Sequence, residues 1–301
     1  MTAVDWLLES DPSVRWQLLW GQDAAEERAR VEHVGWGARL IGLAGPDGLW
    51  AGGTCFPAGF DFASLEAEAG QPWTPTVHTL QTLRIFGLDP ASASARRLIG
   101  LIAENGRWEY DGSRYFDGEV EPCINGRTVE AGTYFGVDVA PLVARLVSEQ
   151  LPDGGWNCEP SQRSSFDTTL CVLDGLLTAQ SADAVAARQR GEEYLLSRGL
   201  FRRASTGNVV KPEYLDFAFP YYWHYDVLRA LDYFRRAGGA PDPRIDEAVE
   251  LVRTKRQPDG RWLLDRVHPG RVHFDIEDGV GRPSRWNTLR ALRVLDWAGV
   301  A

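Results

Sequence analysis

Residues 150–156 read Gln-Leu-Pro-Asp-Gly-Gly-Trp, and the phrase SFDTTLCVLDGLL follows at residues 165–177. Pro-Asp-Gly is typical of a tight turn, because proline presets φ and glycine accepts a positive φ. The phrase after the turn has apolar residues at i, i+3 and i+4, which is the spacing of a helix. A charged amphipathic segment, VAPLVARLVSEQL, precedes the turn. The stretch therefore predicts an outer helix, a turn that ends in tryptophan, and an apolar inner helix.

The same unit recurs along the chain. The turn returns as PDGLW (46–50), ENGRW (104–108) and PDGRW (258–262). The inner-helix phrase returns as DPSVRWQLLW (11–20), TVHTLQTLRIFG (76–87), INGRTVEAGTYFG (124–136), HYDVLRALDYF (224–234) and RWNTLRALRVL (285–295). The copies are roughly 40 to 60 residues apart, the length of two helices with their connections. We predict one all-α domain over residues 1–301, an (α/α) toroid in which five or six inner helices alternate with outer helices.

The recurring turn also carries a family resemblance. Residues 150–156 resemble the Q-x-x-x-G-x-W (QW) repeat of the squalene and oxidosqualene cyclases, and residues 257–262 are a copy shortened by one residue. With the inner-helix phrase, the chain resembles the terpenoid cyclase and protein prenyltransferase superfamily over most of its length. The squalene cyclases have two such barrels, whereas this chain is long enough for only one. The resemblance therefore implies a single-barrel member with a substrate smaller than a steroid.

Composition narrows the classes of partner. The net charge is -10 and the pI is near 5.1, which disfavours binding to nucleic acid or to an anionic membrane. No apolar run approaches the roughly 20 residues of a membrane span, and the N-terminus lacks the apolar core of a signal peptide. The four cysteines form no CxxC pair. We read them as reduced thiols and expect a cytoplasmic protein.

Candidate site residues lie just before the inner helices. In a toroid of this kind the N-terminal ends of the inner helices open onto one end of the central cavity. Of the residues there, Trp73, Tyr222, Trp223 and Trp286 are expected to form the wall of a pocket. Acids at these positions also suit helix capping, and that alternative stays open. The full set of predicted substrate-binding residues is Trp73, His78, Cys123, Arg127, Asp167, Tyr222, Trp223, His224, Asp226, Arg285 and Trp286.

The segment Asp275-Ile276-Glu277-Asp278 resembles the DxDD motif of class II terpenoid cyclases, with glutamate as the middle acid. The resemblance implies that a carboxylic acid protonates an alkene or an epoxide. When carboxylates pack together, their like charges raise the pKa of one of them, which stays protonated. Aromatic faces then stabilise the cation that forms. Glu119 and Glu121 are expected to assist or to accept the final proton. We expect Glu277 and Glu119 to surround one shared cavity.

The sequence predicts no metal and no cofactor. The zinc-binding Asp-x-Cys of the prenyltransferases would align near residues 129–135, where Gly132 stands at the thiolate position. The zinc-binding histidine of the prenyltransferases would align near Asp167 and Thr168, where this chain has no histidine. Cys123, Cys158, His224, Asp226 and His273 show no ligand spacing. No DDxxD motif is present, so Mg²⁺ is expected only with a diphosphate substrate, whose partners would be Arg127, Arg163 and Arg285.

These features favour a terpenoid cyclase-like enzyme, an isomerase or lyase that protonates a small isoprenoid. The expected outcome is cyclisation, isomerisation, hydration or dehydration, and the expected partner is a small apolar ligand. A carbohydrate-active hydrolase, lyase or epimerase is a second interpretation, because paired carboxylates and tryptophans also suit sugars. A non-catalytic ligand-binding toroid is a third. An apolar cavity would favour the isoprenoid, and polar cavity walls would favour a sugar.

Overall fold

The computed structural model of the chain describes residues 2–62 and 70–300. Within those ranges the chain forms α-helices joined by turns and short 3₁₀ segments, with isolated β-bridges in place of strands. The helices are α1 (Ala3–Leu8), α2 (Pro12–Arg15), α3 (Gly21–Ala29), α4 (Gly35–Gly42), α5 (Thr76–Phe86), α6 (Ala93–Asn105), α7 (Pro122–Tyr134), α8 (Ala140–Ser148), α9 (Phe166–Leu176), α10 (Ala182–Leu196), α11 (Val227–Ala237), α12 (Asp246–Thr254) and α13 (Arg285–Trp297).

The predicted alternation of inner and outer helices is confirmed. Helices α5, α7, α9, α11 and α13 are buried on almost every side, whereas α4, α6, α8, α10 and α12 bury one face only. Because the two kinds alternate along the chain, the inner helices run in the same direction. Their N-terminal ends therefore lie together at one end of the ring.

The ring of inner helices closes through a short N-terminal helix. Helix α5 contacts α7, α7 contacts α9, α11 contacts α13, and α2 contacts both α5 and α13. The copy DPSVRWQLLW is thus a truncated inner helix of four residues followed by a 3₁₀ turn. The outer helix expected over residues 24–43 is broken instead. Helix α3 ends at Ala29, and α4 begins at Gly35, whose φ of 73° lies in the left-handed region.

The recurring tryptophan ties each outer helix to the inner helix that follows. Three indole Nε1 groups donate to the carbonyl ten residues earlier, each at 2.7 Å: Trp50 to Leu40, Trp156 to Leu146 and Trp262 to Val252. The backbone N–H of the same three tryptophans donates to a threonine hydroxyl of the next inner helix, at 3.2, 3.1 and 3.0 Å. Trp108 departs from this pattern and donates to Tyr115 O at 2.9 Å.

Helices α7 and α9 pack backbone against backbone. A Cβ on Gly126 would lie 2.3 Å from Cys171 O, and a Cβ on Gly175 would lie 2.4 Å from Gly126 O. Only glycine permits so close an approach. This contact fixes the relative position of two helices whose N-terminal ends both carry predicted site residues.

Paired charges fill the interior of the ring. We define the central ion network as Arg84 of α5, Glu130 of α7, Asp174 of α9, and Arg229 and Arg236 of α11. Arg229 contacts Asp174 at 2.9 Å, and Arg84 contacts Glu130 at 2.8 Å. Arg236 bonds to Asp174 and lies 3.6 Å from Glu130. Buried ions are tolerated when each finds a partner, so the network links four inner helices.

None of the described helices is long and apolar enough to cross a bilayer.

Candidate functional site

The first candidate site is a cavity of about 570 Å³ at the N-terminal ends of α5, α7 and α9, which we call the mouth cavity. Four of the loops that precede inner helices meet there, as the sequence predicted. They bring together six of the predicted residues, which come from segments far apart in the chain: His78, Glu121, Cys123, Arg127, Asp167 and Trp223.

A buried polar pair forms the floor of the mouth cavity. Arg127 Nη2 donates to His78 Nδ1 at 3.0 Å, and Arg127 Nε donates to Gln81 Oε1 at 2.9 Å. Burial, and then the charge of Arg127, hold the pKa of His78 well below its usual value. Because Nδ1 accepts this bond, the neutral imidazole carries its proton on Nε2, for which the backbone of Cys55 provides an acceptor. His78 is thus a fixed neutral group.

Asp167 is held on the opposite wall of the mouth cavity. Its carboxylate accepts hydrogen bonds from Tyr214 Oη at 2.8 Å and from the backbone N–H of Tyr225 at 2.8 Å, and Lys211 Nζ lies 3.5 Å away. These contacts fix the position of the Asp167 carboxyl group in the wall.

Two thiols and a carboxylate converge beside this floor. The ligand atoms of Glu121, Cys123 and Cys158 all lie within 4.8 Å of one another, and Cys123 Sγ is 3.4 Å from a Glu121 oxygen. A hydrogen bond with Cys158, together with burial, raises the pKa of Cys123, so the thiol stays protonated unless a cation replaces its proton. Two sulfurs and one oxygen, with a fourth position open to the cavity, suit Zn²⁺.

The second candidate site is a cavity of about 610 Å³ lined by the predicted acid motif, which we call the 275–278 cavity. Its wall is mostly apolar, with Phe219, Leu264, Val272 and Phe274 among the lining residues. Asp275 and Asp278 also line it but are exposed to solvent. The wall thus joins an apolar surface, which suits an isoprenoid, to the polar groups of the acid motif.

Glu277 is held by three donors at the start of α13. Its Oε1 accepts from Ser284 Oγ at 2.6 Å and from Trp286 N at 3.1 Å, and its Oε2 accepts from Arg285 N at 3.1 Å. Burial raises the pKa of Glu277 to about 6, although the three donors act in the opposite direction. A carboxylate oxygen accepts two bonds, so Oε2 keeps one site free for a proton. Glu277 is thus both a helix cap and an acid that is partly protonated near neutral pH.

His268, which the sequence analysis did not single out, lines the same cavity. It is 9% exposed, and neither ring nitrogen has a hydrogen-bond partner among the described residues. Its ring stacks on His224 at a centroid distance of 3.5 Å. Burial and the neighbouring His224 lower the pKa of His268 to about 3, so it is a neutral base at physiological pH. No repeat or motif surrounds Val267-His268-Pro269, so nothing in the sequence distinguished this lone histidine.

Among residues 2–62 and 70–300, Glu277 and Glu119 do not line a shared cavity, contrary to expectation. His78, on the wall of the mouth cavity, packs against Tyr222, on the wall of the 275–278 cavity, with 5.7 Å between ring centroids. Trp73 stacks on Tyr222 at 4.1 Å and completes this partition. The carboxylate of Glu119 accepts the backbone N–H of Glu121 at 2.7 Å and lines neither cavity.

Other predicted residues have structural roles or lie elsewhere. Asp226 accepts the Arg229 N–H at 2.7 Å and caps α11. The guanidinium of Arg285 lies 4.2 Å from the centre of the Trp6 ring and bonds to Trp6 O, which places it away from any diphosphate site. Trp286 is absent from the walls of both cavities, because it stacks between Phe86 and Phe219.

Comparisons with known proteins give structural likenesses only. No family model matches the chain, and no curated protein matches it in sequence. A protein from Actinoplanes is 15% identical over 96% of this chain and 90% of its own, with a TM-score of 0.47. The type II terpene cyclase MstE from Scytonema is 14% identical over 98% of this chain and 88% of its own, with a TM-score of 0.47. Likenesses this slight transfer neither a substrate nor the role of any residue.

Proposed function

We propose that the protein is a terpenoid cyclase-like enzyme that starts the cyclisation or isomerisation of a small isoprenoid by protonating it in the 275–278 cavity. One observation carries the proposal. Glu277, an acid of raised pKa, and His268, a base of lowered pKa, line the same mostly apolar cavity. Two groups whose pKa values are pushed apart by their surroundings mark an acid and a base of one reaction.

Glu277 would supply the proton that begins the reaction. The donors Ser284, Arg285 and Trp286 fix its carboxyl group and leave the free site on Oε2 for the proton. Transfer of this proton to an alkene carbon or an epoxide oxygen breaks one O–H bond and generates a carbocation on the substrate. The carboxylate left behind is stabilised by the same three donors.

The cation would then be held by aromatic faces and discharged by His268. Phe219, Tyr222 and Phe274 line the cavity, and aromatic rings attract cations through their faces. A carbocation is so strong an acid that a neutral imidazole of low pKa suffices to take a proton from the neighbouring carbon. One proton enters from Glu277 and one leaves to His268, so the net reaction is an isomerisation, and solvent resets both groups.

Incubation in D₂O with isoprenoid alcohols and diphosphates of 10 to 20 carbons tests the proposal. Protonation by Glu277, which exchanges with solvent, is expected to place one deuterium on carbon in each product molecule, as measured by mass spectrometry. The matched control is D275N, which changes an exposed acid of the same cavity. Product without deuterium, or no product from any of these substrates, would reject the proposal.

A second candidate function is a metal-dependent enzyme that works in the mouth cavity. The convergence of Glu121, Cys123 and Cys158 favours it. These residues would hold Zn²⁺, which supplies a Lewis acid for an oxygen atom of the substrate. Arg127 and Asp167, fixed by their own partners, would orient the substrate around that position.

Zinc analysis checks this second function without any substrate. Protein dialysed against Zn²⁺ is expected to retain about one zinc per chain. C123S and C158S are each expected to lose it, because each removes a thiolate that would bind the zinc. C55S is the matched control, since Cys55 lines the same cavity outside the cluster. Equal zinc content in C123S and C55S would contradict the assignment.

A further inference from the structure

A third cavity, of about 320 Å³, lies at the opposite end of the ring, and we call it the arginine cavity. It is lined by the C-terminal halves of α5, α7 and α11, by α13 from Trp286 to Arg293, and by residues such as Trp16 and Tyr221 outside these helices. The chain as a whole is acidic, yet the lining of this cavity contains six arginines and one acid, Asp232. The six are Arg28, Arg84, Arg235, Arg236, Arg290 and Arg293.

The carboxylates nearby do not neutralise this charge. Asp232 pairs with Arg235 at 2.9 Å and with Arg236 at 3.5 Å. Deeper in the ring, Glu130 and Asp174 form ion pairs with Arg84, Arg236 and the buried Arg229 of the central ion network. Asp226 is near Arg290 but is occupied by two backbone N–H groups. Positive charge therefore remains unpaired along α13.

Arg290 is the arginine whose contacts point most directly to a bound ligand. It is 5% exposed, and its Nη2 donates to Ala218 O at 2.8 Å and to Asn287 Oδ1 at 2.6 Å. Its Nε and Nη1 have no hydrogen-bond partner among the described residues, although the guanidinium lies 5.2 Å from the centre of the Tyr221 ring and 5.8 Å from that of Phe219. Buried charged donors need an acceptor, which an anionic ligand in the cavity would supply.

Two further unpaired donors lie in the same lining. The Trp286 indole Nε1 and Arg84 Nε are both buried and have no hydrogen-bond partner in the described part of the chain. Arg293, one turn beyond Arg290, donates to the side-chain oxygen of Gln17 at 2.7 Å and to its backbone carbonyl at 2.6 Å, both of them neutral acceptors. Burial and the proximity of Arg235 lower the pKa of Arg293, although Asp232 acts in the opposite direction.

We propose that the arginine cavity is a binding site for a phosphate or diphosphate group, held by Arg290 and Arg84 and by the indole N–H of Trp286. Planar guanidinium groups match phosphate oxygens with paired hydrogen bonds. A group with two or more negative charges suits an excess of several arginines, whereas a single carboxylate would leave most of them unmatched. Phe219 and Tyr221 add apolar wall beside the donors, so a phosphate ester with an organic portion also fits.

The arginine cavity is separate from the 275–278 cavity, although Arg290 lowers the pKa of Glu277 and Glu277 accepts the backbone N–H of Trp286. Phe219 lines both cavities, but its stack with Trp286, at 4.5 Å and 12° between planes, stands between them. Because E277Q removes none of the proposed phosphate donors, this variant is expected to keep saturable phosphate binding. Failure of one proposal thus leaves the other standing.

Titration calorimetry with inorganic pyrophosphate and with inorganic phosphate tests the site. We expect saturable binding at one site per chain, weakened at least tenfold in R290Q and in R293Q, and unchanged in R97Q, a control on the exposed surface. The Trp286 indole N–H resonance, assigned with W286F, is expected to shift on binding. If R290Q does not fold, R293Q alone decides. No saturable binding, or equal affinity in the folded arginine variants and R97Q, would overturn the proposal.

Discussion

Replacing Glu277 with glutamine is expected to lower turnover of the isoprenoid substrate at least about 100-fold, the usual effect of removing a general acid. Glutamine has nearly the same shape and keeps a carbonyl oxygen to accept from Ser284 and Trp286. It carries no transferable proton, so the loss should appear in kcat. Its amide nitrogen cannot accept the Arg285 N–H, which should lower the free energy of unfolding by only about 1 kcal/mol.

The pH dependence of the same reaction gives an internal check. Only the protonated form of Glu277 starts the reaction, and its pKa is raised to about 6. The rate should thus be highest below pH 6 and fall about tenfold per pH unit above it. D275N should keep this profile and most of the activity. A rate that is flat between pH 5 and 8, or an E277Q variant within a few-fold of the parent, would count against the acid role.

Replacing Gly126 with alanine is expected to destabilise the fold by about 3 kcal/mol or more. The new Cβ would lie 2.3 Å from Cys171 O and 2.7 Å from Val172 Cα, and both are backbone atoms that cannot rotate away. Helices α7 and α9 would have to separate, which also moves Cys123 from Cys158. Urea unfolding measures the loss, and zinc retention reports the displacement.

Gly100 of α6 offers the matched control for this substitution. A Cβ at Gly100 has nothing within 4 Å, so G100A should be neutral or should stabilise by about 0.5–1 kcal/mol through helix propensity. Similar unfolding free energies for G126A and G100A would show that the two inner helices tolerate separation, contrary to the packing described above.

The architecture was predictable because it repeats. The Pro-Asp-Gly turns and the apolar inner-helix phrase reflect local rules, and the indole N–H of Trp156 and of Trp262 shows why the turn follows each outer helix at a fixed distance. The break between α3 and α4 was not predicted, because the helical spacing of apolar residues continues through Gly35. The positive φ of Gly35 instead separates the two helices.

The sites were predictable only in part, because they depend on which loops meet. Residues before α5, α7 and α9 do converge, yet Cys123 and Cys158 belong to different units, so no spacing rule could pair them. Glu277 was found by motif, but its partner His268 lies in irregular chain. The arginine cavity did leave a signal in the sequence. Its arginines, such as Arg290 and Arg84, stand inside inner-helix phrases, where charges are unexpected.

The ¹³C NMR titration of the Glu277 side-chain carboxyl, assigned by comparison with E277Q, tests the central claim most directly, because it needs no knowledge of the substrate. A buried, partly protonated acid facing an apolar cavity should titrate with a pKa of about 6. A pKa at or below the ordinary glutamate value of 4.5 would mean that Glu277 is a permanently ionised helix cap, and the proposed acid chemistry would fail.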